Sequence, residues 1–133
     1  MKKMTVFLIV AGVVIAFVFL SKAMKKDDTI KTISAKQALV QVVKEPGVII
    51  DVRTKDEYNA GHLTKSEFQY DVTTGEFESK ISSLDKSKTY YLYCRSGNRS
   101  GKAAVIMKEK GFTNVYNIGG YSTLISAGFE SSN

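Results

Sequence analysis

The sequence of 133 residues predicts an α/β fold, in which a central, mostly parallel sheet has helices on both faces and follows an N-terminal hydrophobic helix. Three observations support this prediction. Helix-like and strand-like segments alternate along most of the chain. The runs 48–50 and 89–94 are apolar or strand-prone without a break, as in strands that are buried on both faces. Residues 5–20 carry no charge and are almost wholly apolar.

The apolar run 5–20 predicts a membrane-targeting segment, because lysines flank it on both sides. Its length lies between that of a usual signal-peptide core and the roughly 20 residues of a spanning helix. The basic flank on its carboxyl side disfavours cleavage and export. We expect residues 1–24 to form a signal anchor, with a cleaved signal peptide as the alternative, and residues 25–32 to form a charged linker.

The location of the domain follows from this segment. Lysines balance across the run, so their charge does not determine the orientation, and the default for a short basic N-terminus leaves it inside the cell. We therefore expect a membrane-anchored protein whose domain is periplasmic or otherwise extracytoplasmic. The alternative is secretion to the periplasm after signal cleavage. The membrane is a partner through residues 5–20 if they are not cleaved.

The first helix of the domain begins after Ser34, which forms a capping-box pattern with Gln37. It is predicted to run to about Lys44, because the segment 45–47 contains Pro and Gly. Its buried stripe is predicted to consist of Ala38, Leu39, Val42 and Val43.

The next elements are a buried strand and a short helix. The run 48–50 ends in Asp51, the composition expected for a fully buried strand. Thr54 and Glu57 form a second capping-box pattern, and Gly61 is predicted to end the helix that they open.

The middle of the chain is predicted to contain a weaker strand near residues 67–70 and a helix over residues 74–84. The inward positions of this helix are predicted to be Phe77, Ile81 and Leu84.

The last part of the chain contains the best-defined strand, 89–94, followed by a helix that extends to Lys110 and ends at Gly111. A final strand is predicted over residues 115–118 and a short helix over residues 122–126. In parallel sheets, ligands bind beyond the carboxyl ends of the strands. Cys94 and Asp51 both fall at such ends.

The only cysteine, Cys94, lies where the strand 89–94 turns into a helix. Unpaired N–H groups and the helix dipole favour an anion at a helix start, and nearby arginines favour it further. We expect a thiolate with a pKa below the usual value of about 8.5, and therefore a catalytic nucleophile. The residues expected to bind the substrate are Arg95, Ser96, Gly97, Asn98, Arg99 and Ser100. The alternative, a buried apolar cysteine that ends a core strand, does not explain two nearby arginines.

Charge and composition exclude several other functions. Six lysines and two aspartates fall within residues 1–31, a net of +4 out of the formal +6 of the chain. The excess suits anionic lipid headgroups, and we expect no nucleic-acid partner. One cysteine permits neither an internal disulfide nor a cysteine-rich zinc cluster, and His62 is the only histidine. We expect no metal and no cofactor.

Four separated motifs resemble those of a single-domain rhodanese, a thiosulfate sulfurtransferase. They are the strand end 51–53, the stretch 57–63, the loop 94–99 and the glycine pair 119–120. The resemblance implies a rhodanese-like domain over residues 33–129, similar to exported or membrane-tethered bacterial members.

The resemblance also implies an activity. Cys94 would take a sulfane sulfur from a small anionic donor such as thiosulfate and pass it, as a persulfide, to a thiol or cyanide acceptor. Arg95 and Arg99 would hold the donor, and backbone N–H groups of the loop would bind the persulfide. Asp51 and Arg53 are predicted supporting residues, with Arg53 paired to Asp51 or to Glu57.

Three other functions are alternatives. Phosphatase or arsenate reductase chemistry is disfavoured because related phosphatases of the cell-cycle type carry an arginine six residues after the cysteine, whereas Arg99 comes five after Cys94. A membrane-tethered, non-catalytic persulfide carrier or docking module is the second. The third, a thiol redox protein, is weakened because the sequence contains no resolving cysteine.

Overall fold

The structure is a computed structural model, and it describes residues 30–133. The predicted N-terminal hydrophobic helix, with its membrane segment 5–20, and most of the predicted linker lie outside the described residues. Between residues 30 and 133, none of the helices has the length and hydrophobicity needed to cross a bilayer.

Strands and helices alternate along the described chain. The strands are β1 (Lys31–Thr32), β2 (Val48–Asp51), β3 (His62–Leu63), β4 (Ser66–Gln69), β5 (Thr89–Cys94), β6 (Asn114–Gly120) and β7 (Ser131–Ser132). The helices are α1 (Ala35–Lys44), α2 (Lys55–Asn59), α3 (Glu76–Ile81), α4 (Asn98–Glu109) and α5 (Tyr121–Ala127).

A five-stranded sheet in the order β1-β6-β5-β2-β4 forms the centre of the domain. All neighbouring strands in it are parallel, which confirms the predicted sheet. The short strands β3 and β7 form a separate antiparallel pair. Strand β5 lies in the middle and is buried along its whole length, so the loop that carries Cys94 leaves the best-packed part of the sheet.

Two apolar clusters cover the two faces of the sheet, as alternating residues of β5 show. Tyr90 and Leu92 pack with residues of α3 and α4, whereas Tyr91 and Tyr93 pack with residues of α1 and α5. Helices therefore cover both faces, as predicted. The strict alternation of side chains along a strand allows one continuous apolar run to supply both clusters.

Both predicted capping boxes are present. Ser34 Oγ accepts from the Gln37 backbone N–H at 3.2 Å, and the Gln37 side chain accepts from the Ser34 backbone N–H at 2.9 Å. Thr54 and Glu57 form the same reciprocal pair at the start of α2. The predicted end of α4 is also confirmed, since Gly111 follows the helix with a φ of +94°.

The structure corrects the predicted stripe of α1. Val43 was expected to be buried, but it is 76% exposed. Ala35 and Ala38 are the buried residues of the helix, and Leu39 and Val42 are partly buried against the same cluster. Val43 lies one residue, or about 100°, beyond this stripe and points away from the sheet.

Several boundaries also differ from the prediction. Helix α3 spans Glu76–Ile81 rather than 74–84, because Asp71 binds the N–H and the hydroxyl of Thr73 in a turn and Gly75 then takes a left-handed φ of +78°. Strand β1 falls within the segment 25–32 that the sequence interpretation assigns to a linker. The two-residue strands β1, β3 and β7 are too short to give a recognisable periodicity, and the sequence does not predict them.

A buried ion pair holds the carboxyl end of β2. Asp51 is fully buried and accepts from the Arg53 backbone N–H at 2.9 Å and from Arg53 Nη2 at 2.7 Å. The Tyr93 hydroxyl donates to the same carboxylate at 2.8 Å. Arg53 Nη2 also donates to the Gly61 carbonyl at 2.7 Å, and its guanidinium lies 4.5 Å from the centre of the Tyr121 ring. The pair thus joins β2 to β5, to the start of β3 and to α5.

We expect the substitution Asp51→Asn to lower the free energy of unfolding by about 3–5 kcal/mol, because it leaves the buried Arg53 guanidinium without a counter-charge. Urea denaturation monitored by far-UV circular dichroism measures this change. The matched control is Glu78→Gln at an exposed position of α3, which should change the stability by less than about 0.5 kcal/mol. A loss below about 1 kcal/mol for Asp51→Asn would contradict this account of the buried pair.

Candidate functional site

The candidate site is built where β5 ends and α4 begins. Cys94 is the last residue of β5, and the helix begins only four residues later at Asn98. Gly97 is the N-cap residue of α4 and has a φ of +95°. A Cβ at Gly97 would also lie 3.2 Å from the Cα of Gly119. The sharp turn therefore requires glycine at position 97, both for its backbone conformation and for its close approach to β6.

The end of β6 supports this loop from the side. The pairing between β5 and β6 shifts by one residue, so that Leu92 faces Asn117 but Tyr93 faces Gly119. Gly120 follows, and a Cβ there would lie 2.5 Å from the carbonyl oxygen of Arg95. Gly120, the second glycine of the pair that the sequence singled out, thus lets the backbone of β6 lie directly against the loop.

The sulfur of Cys94 lies inside a ring of hydrogen-bond donors. The residue is fully buried, and the Gly97 backbone N–H donates to Sγ at 3.0 Å. The Ser100 hydroxyl lies 3.4 Å from Sγ, within the distance at which it can donate to sulfur. Ser96 and Asn98 belong to the same turn, but their side chains are exposed to solvent.

Burial raises the pKa of the Cys94 thiol, but hydrogen bonds outweigh it. Those bonds come from the Ser100 hydroxyl and from backbone N–H groups of Ser100, Ser96 and Gly97, and the resulting pKa is lower than that of an ordinary thiol. The direction agrees with the sequence prediction. The main causes differ, since the donors of the loop, rather than the arginines, lower the pKa of the thiol.

Asn117 is a site residue that the sequence analysis missed. Its side chain is buried in β6, and its Nδ2 donates to the Gly97 carbonyl at 3.0 Å. Its Oδ1 accepts from the Ser100 hydroxyl at 2.7 Å and from the Gly119 N–H at 3.1 Å. Asn117 thereby fixes both the turn of the loop and the hydroxyl nearest to the sulfur. A polar amide within the apolar strand 115–118 was the signal that could have identified it.

The two arginines of the loop have different environments. Arg95 is exposed, and within residues 30–133 it forms neither an ion pair nor a side-chain hydrogen bond. Arg99 donates two hydrogen bonds to the Glu57 carboxylate, at 2.7 and 2.9 Å. The sequence predicts donor binding by both arginines and a pair between Arg53 and either Asp51 or Glu57. The structure pairs Arg53 with Asp51, one of these alternatives, and pairs Glu57 with Arg99.

An open depression of about 300 Å³ lies beside the loop. Its lining comprises Arg53, Glu57, Ala60, Gly61, Arg95, Tyr121 and Ser122. Of the predicted site residues, Arg95 and Arg53 line this space and Cys94 does not. Within residues 30–133 the Arg95 guanidinium has no partner, whereas Arg53 belongs to the buried ion pair. A larger depression of about 650 Å³ lies between α1 and the turn before β4, and its lining includes neither Cys94 nor any residue of its loop.

Known proteins resemble this chain in sequence. The family described as "Rhodanese-like domain" matches residues 34–127. The thiosulfate sulfurtransferase GlpE of Pseudomonas entomophila is 34% identical over 90 residues, which are 68% of this chain and 79% of that protein. A tRNA sulfurtransferase of Vibrio vulnificus is 34% identical over 77 residues, and an uncharacterized Bacillus subtilis protein, YqhL, is 31% identical over 72. The chain spans only 16% and 55% of the lengths of these last two proteins.

Solved structures show the same fold. A rhodanese-related protein from Thermoplasma volcanium superposes with a TM-score of 0.64 at 26% identity, over 77% of this chain and 97% of that one. A rhodanese from E. coli, solved with anions, gives a TM-score of 0.56 at 28% identity, over 65% of this chain and 96% of that one. The parallel sheet, the loop at the end of its central strand and the match over residues 34–127 agree, so the chain belongs to the rhodanese-like domain family.

Proposed function

We propose that this protein is a sulfurtransferase that moves a sulfane sulfur from an anionic donor such as thiosulfate to a thiol or cyanide through a persulfide on Cys94. The observation that carries the proposal is the position of Sγ inside a turn of donors, with the Gly97 N–H at 3.0 Å and the Ser100 hydroxyl at 3.4 Å. Such a turn stabilises an anionic sulfur. Membership of the rhodanese-like domain family and the likeness to a thiosulfate sulfurtransferase support the same chemistry.

The first half of the reaction forms the persulfide. The Cys94 thiolate attacks the outer sulfur of thiosulfate, so that a bond forms between Sγ and that sulfur. The sulfur–sulfur bond of thiosulfate breaks, and its electron pair leaves with sulfite. Arg95, which is exposed and unpaired within the described chain, is the residue suited to bind the donor, because a guanidinium presents paired N–H groups to an oxyanion.

The second half of the reaction returns the enzyme to its starting state. A cyanide ion or an acceptor thiolate attacks the terminal sulfur of the persulfide. The bond between that sulfur and Sγ breaks, and its electron pair restores the Cys94 thiolate. The N–H groups that lower the pKa of the thiol stabilise the anion at the start and at the end of each cycle. Two half-reactions through a covalent intermediate predict ping-pong kinetics.

Intact-mass spectrometry of the protein after incubation with thiosulfate tests the persulfide. We expect a gain of one sulfur atom, about 32 mass units, which cyanide removes with release of thiocyanate. The Cys94→Ala variant should gain no mass. Unchanged mass of the unmodified protein with thiosulfate and with other sulfane donors would contradict the proposed function.

The pH dependence of persulfide formation tests the electrostatics of the site. Because the thiolate is the nucleophile and the pKa of Cys94 is lowered, the rate should rise with pH to a plateau, with a midpoint below the pKa of an ordinary thiol. Ser100→Ala removes a hydrogen bond to the thiolate and should move the midpoint upward by about one pH unit. Stopped-flow measurement of the first turnover across pH provides both midpoints.

Ser96→Ala is the matched control for that experiment. It deletes a hydroxyl from the same turn that accepts from the Asn98 N–H at 3.5 Å. The substitution retains every backbone N–H group of the loop. Its midpoint should equal that of the unmodified protein. Equal midpoints for Ser100→Ala and the unmodified protein would show that the hydroxyl does not stabilise the thiolate.

The location of the domain is a second part of the proposal. We infer from the apolar run 5–20 and its lysine flanks that residues 1–24 anchor the domain outside the cytoplasm. Full-length chain expressed in a bacterial host should resist extraction from membranes by alkaline carbonate and should be digested when protease is added to spheroplasts. A mature mass that lacks residues 1–24 would indicate the signal-peptide alternative. Uncleaved protein in the soluble cytoplasmic fraction would contradict both.

A further inference from the structure

We propose that Glu57 biases the site toward sulfane-sulfur donors that carry one negative charge and against dianionic donors such as thiosulfate, because its carboxylate neutralises Arg99 at the edge of the active loop. This inference rests on the proposed function, since it concerns which donor delivers sulfur to Cys94. Glu57 would thus determine specificity without contacting the reacting sulfur atoms.

The charges around the site are nearly balanced. Arg53 is paired with the buried carboxylate of Asp51, and Arg99 is paired with Glu57. Arg95 is the cation without such a partner within the described chain. Its single positive charge is opposed by the Cys94 thiolate. A dianion therefore enters a site with little net positive charge. The binding of a monoanion depends less on that charge, because its electrostatic interaction energy is half as large in the same potential.

The capping box at the start of α2 holds the Glu57 side chain in place, as do the hydrogen bonds from Arg99. Glu57 is the third residue of α2, and its Oε1 accepts from the Thr54 backbone N–H and hydroxyl, at 3.4 and 3.2 Å. The hydrogen bonds from Arg99 lower the pKa of Glu57 to about 2, so the carboxylate stays charged across the physiological range. The negative charge of Glu57 is therefore present throughout the physiological pH range, and hydrogen bonds from Thr54 and Arg99 position it.

Arg99 directly precedes Ser100, whose hydroxyl lies 3.4 Å from Sγ of Cys94. It lies in the first turn of α4, five residues after Cys94, and Glu57 lines the depression that Arg95 also lines. The hydrogen bonds to Glu57 contribute most to the raised pKa of Arg99, and the negative charges of Cys94 and Asp71 add to it. Asp71 is thus a second, weaker counter-charge, and removing the charge of Glu57 leaves Arg99 mostly uncompensated.

Two donors of similar shape and different charge distinguish an effect on donor charge preference from a general effect on sulfur transfer. Thiosulfate is a dianion, and methanethiosulfonate is the monoanion in which a methyl group replaces one oxygen. With methanethiosulfonate, the Cys94 thiolate bonds to the outer sulfur, the sulfur–sulfur bond of the donor breaks, and the electron pair leaves with methanesulfinate. The same persulfide forms in both reactions, so the acceptor step is identical.

The test compares kcat/KM for the two donors in the unmodified protein and in Glu57→Gln, at a pH on the plateau for both proteins. The glutamine retains a side-chain oxygen that can accept from Thr54 and Arg99 but carries no charge. We expect a gain of about tenfold for thiosulfate and about threefold for methanethiosulfonate, because the energy of an ion in a changed potential scales with its charge. Both gains should shrink as potassium chloride is added.

Three further variants make the result specific to Glu57 and Arg99. Glu109→Gln removes one negative charge at the opposite end of α4, about 16 Å along the helix from Asn98, and should leave both values unchanged. Arg99→Gln alone should lower kcat/KM for thiosulfate more than for methanethiosulfonate. The double variant Glu57→Gln/Arg99→Gln should return the ratio of the two values to that of the unmodified protein.

Equal changes for both donors in Glu57→Gln would overturn the inference, because a structural disturbance does not distinguish donor charge. A gain for thiosulfate that persists in the double variant would overturn it as well, since Glu57 would then act independently of Arg99. These outcomes differ from failure of the proposed function. In that case neither donor would leave sulfur on Cys94, and there would be no transfer whose donor preference could change.

Discussion

The buried amide of Asn117 is the interaction on which the geometry of the site depends. The turn between β5 and α4 is sharp, and its Gly97 carbonyl accepts from the Gly101 N–H of the helix as well as from Asn117. Asn117 binds the Gly97 carbonyl and accepts from the Ser100 hydroxyl, so one side chain of β6 ties together the turn and the first turn of α4. The one-residue shift between β5 and β6 brings Gly119 and Gly120 beside the loop, where Gly119 takes a φ of +94° and a Cβ at Gly120 would lie 2.5 Å from the Arg95 carbonyl oxygen.

The sequence suggests that the arginines of the loop both lower the pKa of Cys94 and bind the donor. The structure assigns the first of these effects to other groups. Hydrogen bonds from uncharged groups lower the pKa of Cys94, although burial opposes them. The largest contributions that lower this pKa come from uncharged donors, and the pairing of the arginines is a separate feature of the site. Arg53 stabilises the fold through Asp51, Arg99 is held by Glu57, and Arg95 remains exposed to incoming anions. The hydrogen-bond donors on the side of the loop thus favour the thiolate form of Cys94 although the residue is buried.

Much of the fold follows from local patterns in the sequence. The capping boxes at Ser34 and Thr54 and the end of α4 at Gly111 were predictable, since each depends on residues that are close in sequence. The parallel sheet was predictable from the alternation of helices and strands along the chain. The loop itself was recognisable from its composition. The partner of Arg99 was not, because Glu57 is 42 residues away and either Arg53 or Arg99 could have reached it. Asn117 was missed for a similar reason, since its contacts depend on the register between β5 and β6.

The two charged pairs, Asp51–Arg53 and Glu57–Arg99, lie at different depths in the domain. Asp51 and Arg53 are separated by one residue, and their pair is almost fully buried, so it contributes to the fold and leaves little field at the surface. Glu57 and Arg99 are each about a quarter exposed, and they lie at the rim of the depression that Arg95 lines. A pair in this position contributes modestly to stability but changes the charge that an incoming donor meets. The same residue types, placed at different depths, therefore have a structural role in one case and an electrostatic role in the other.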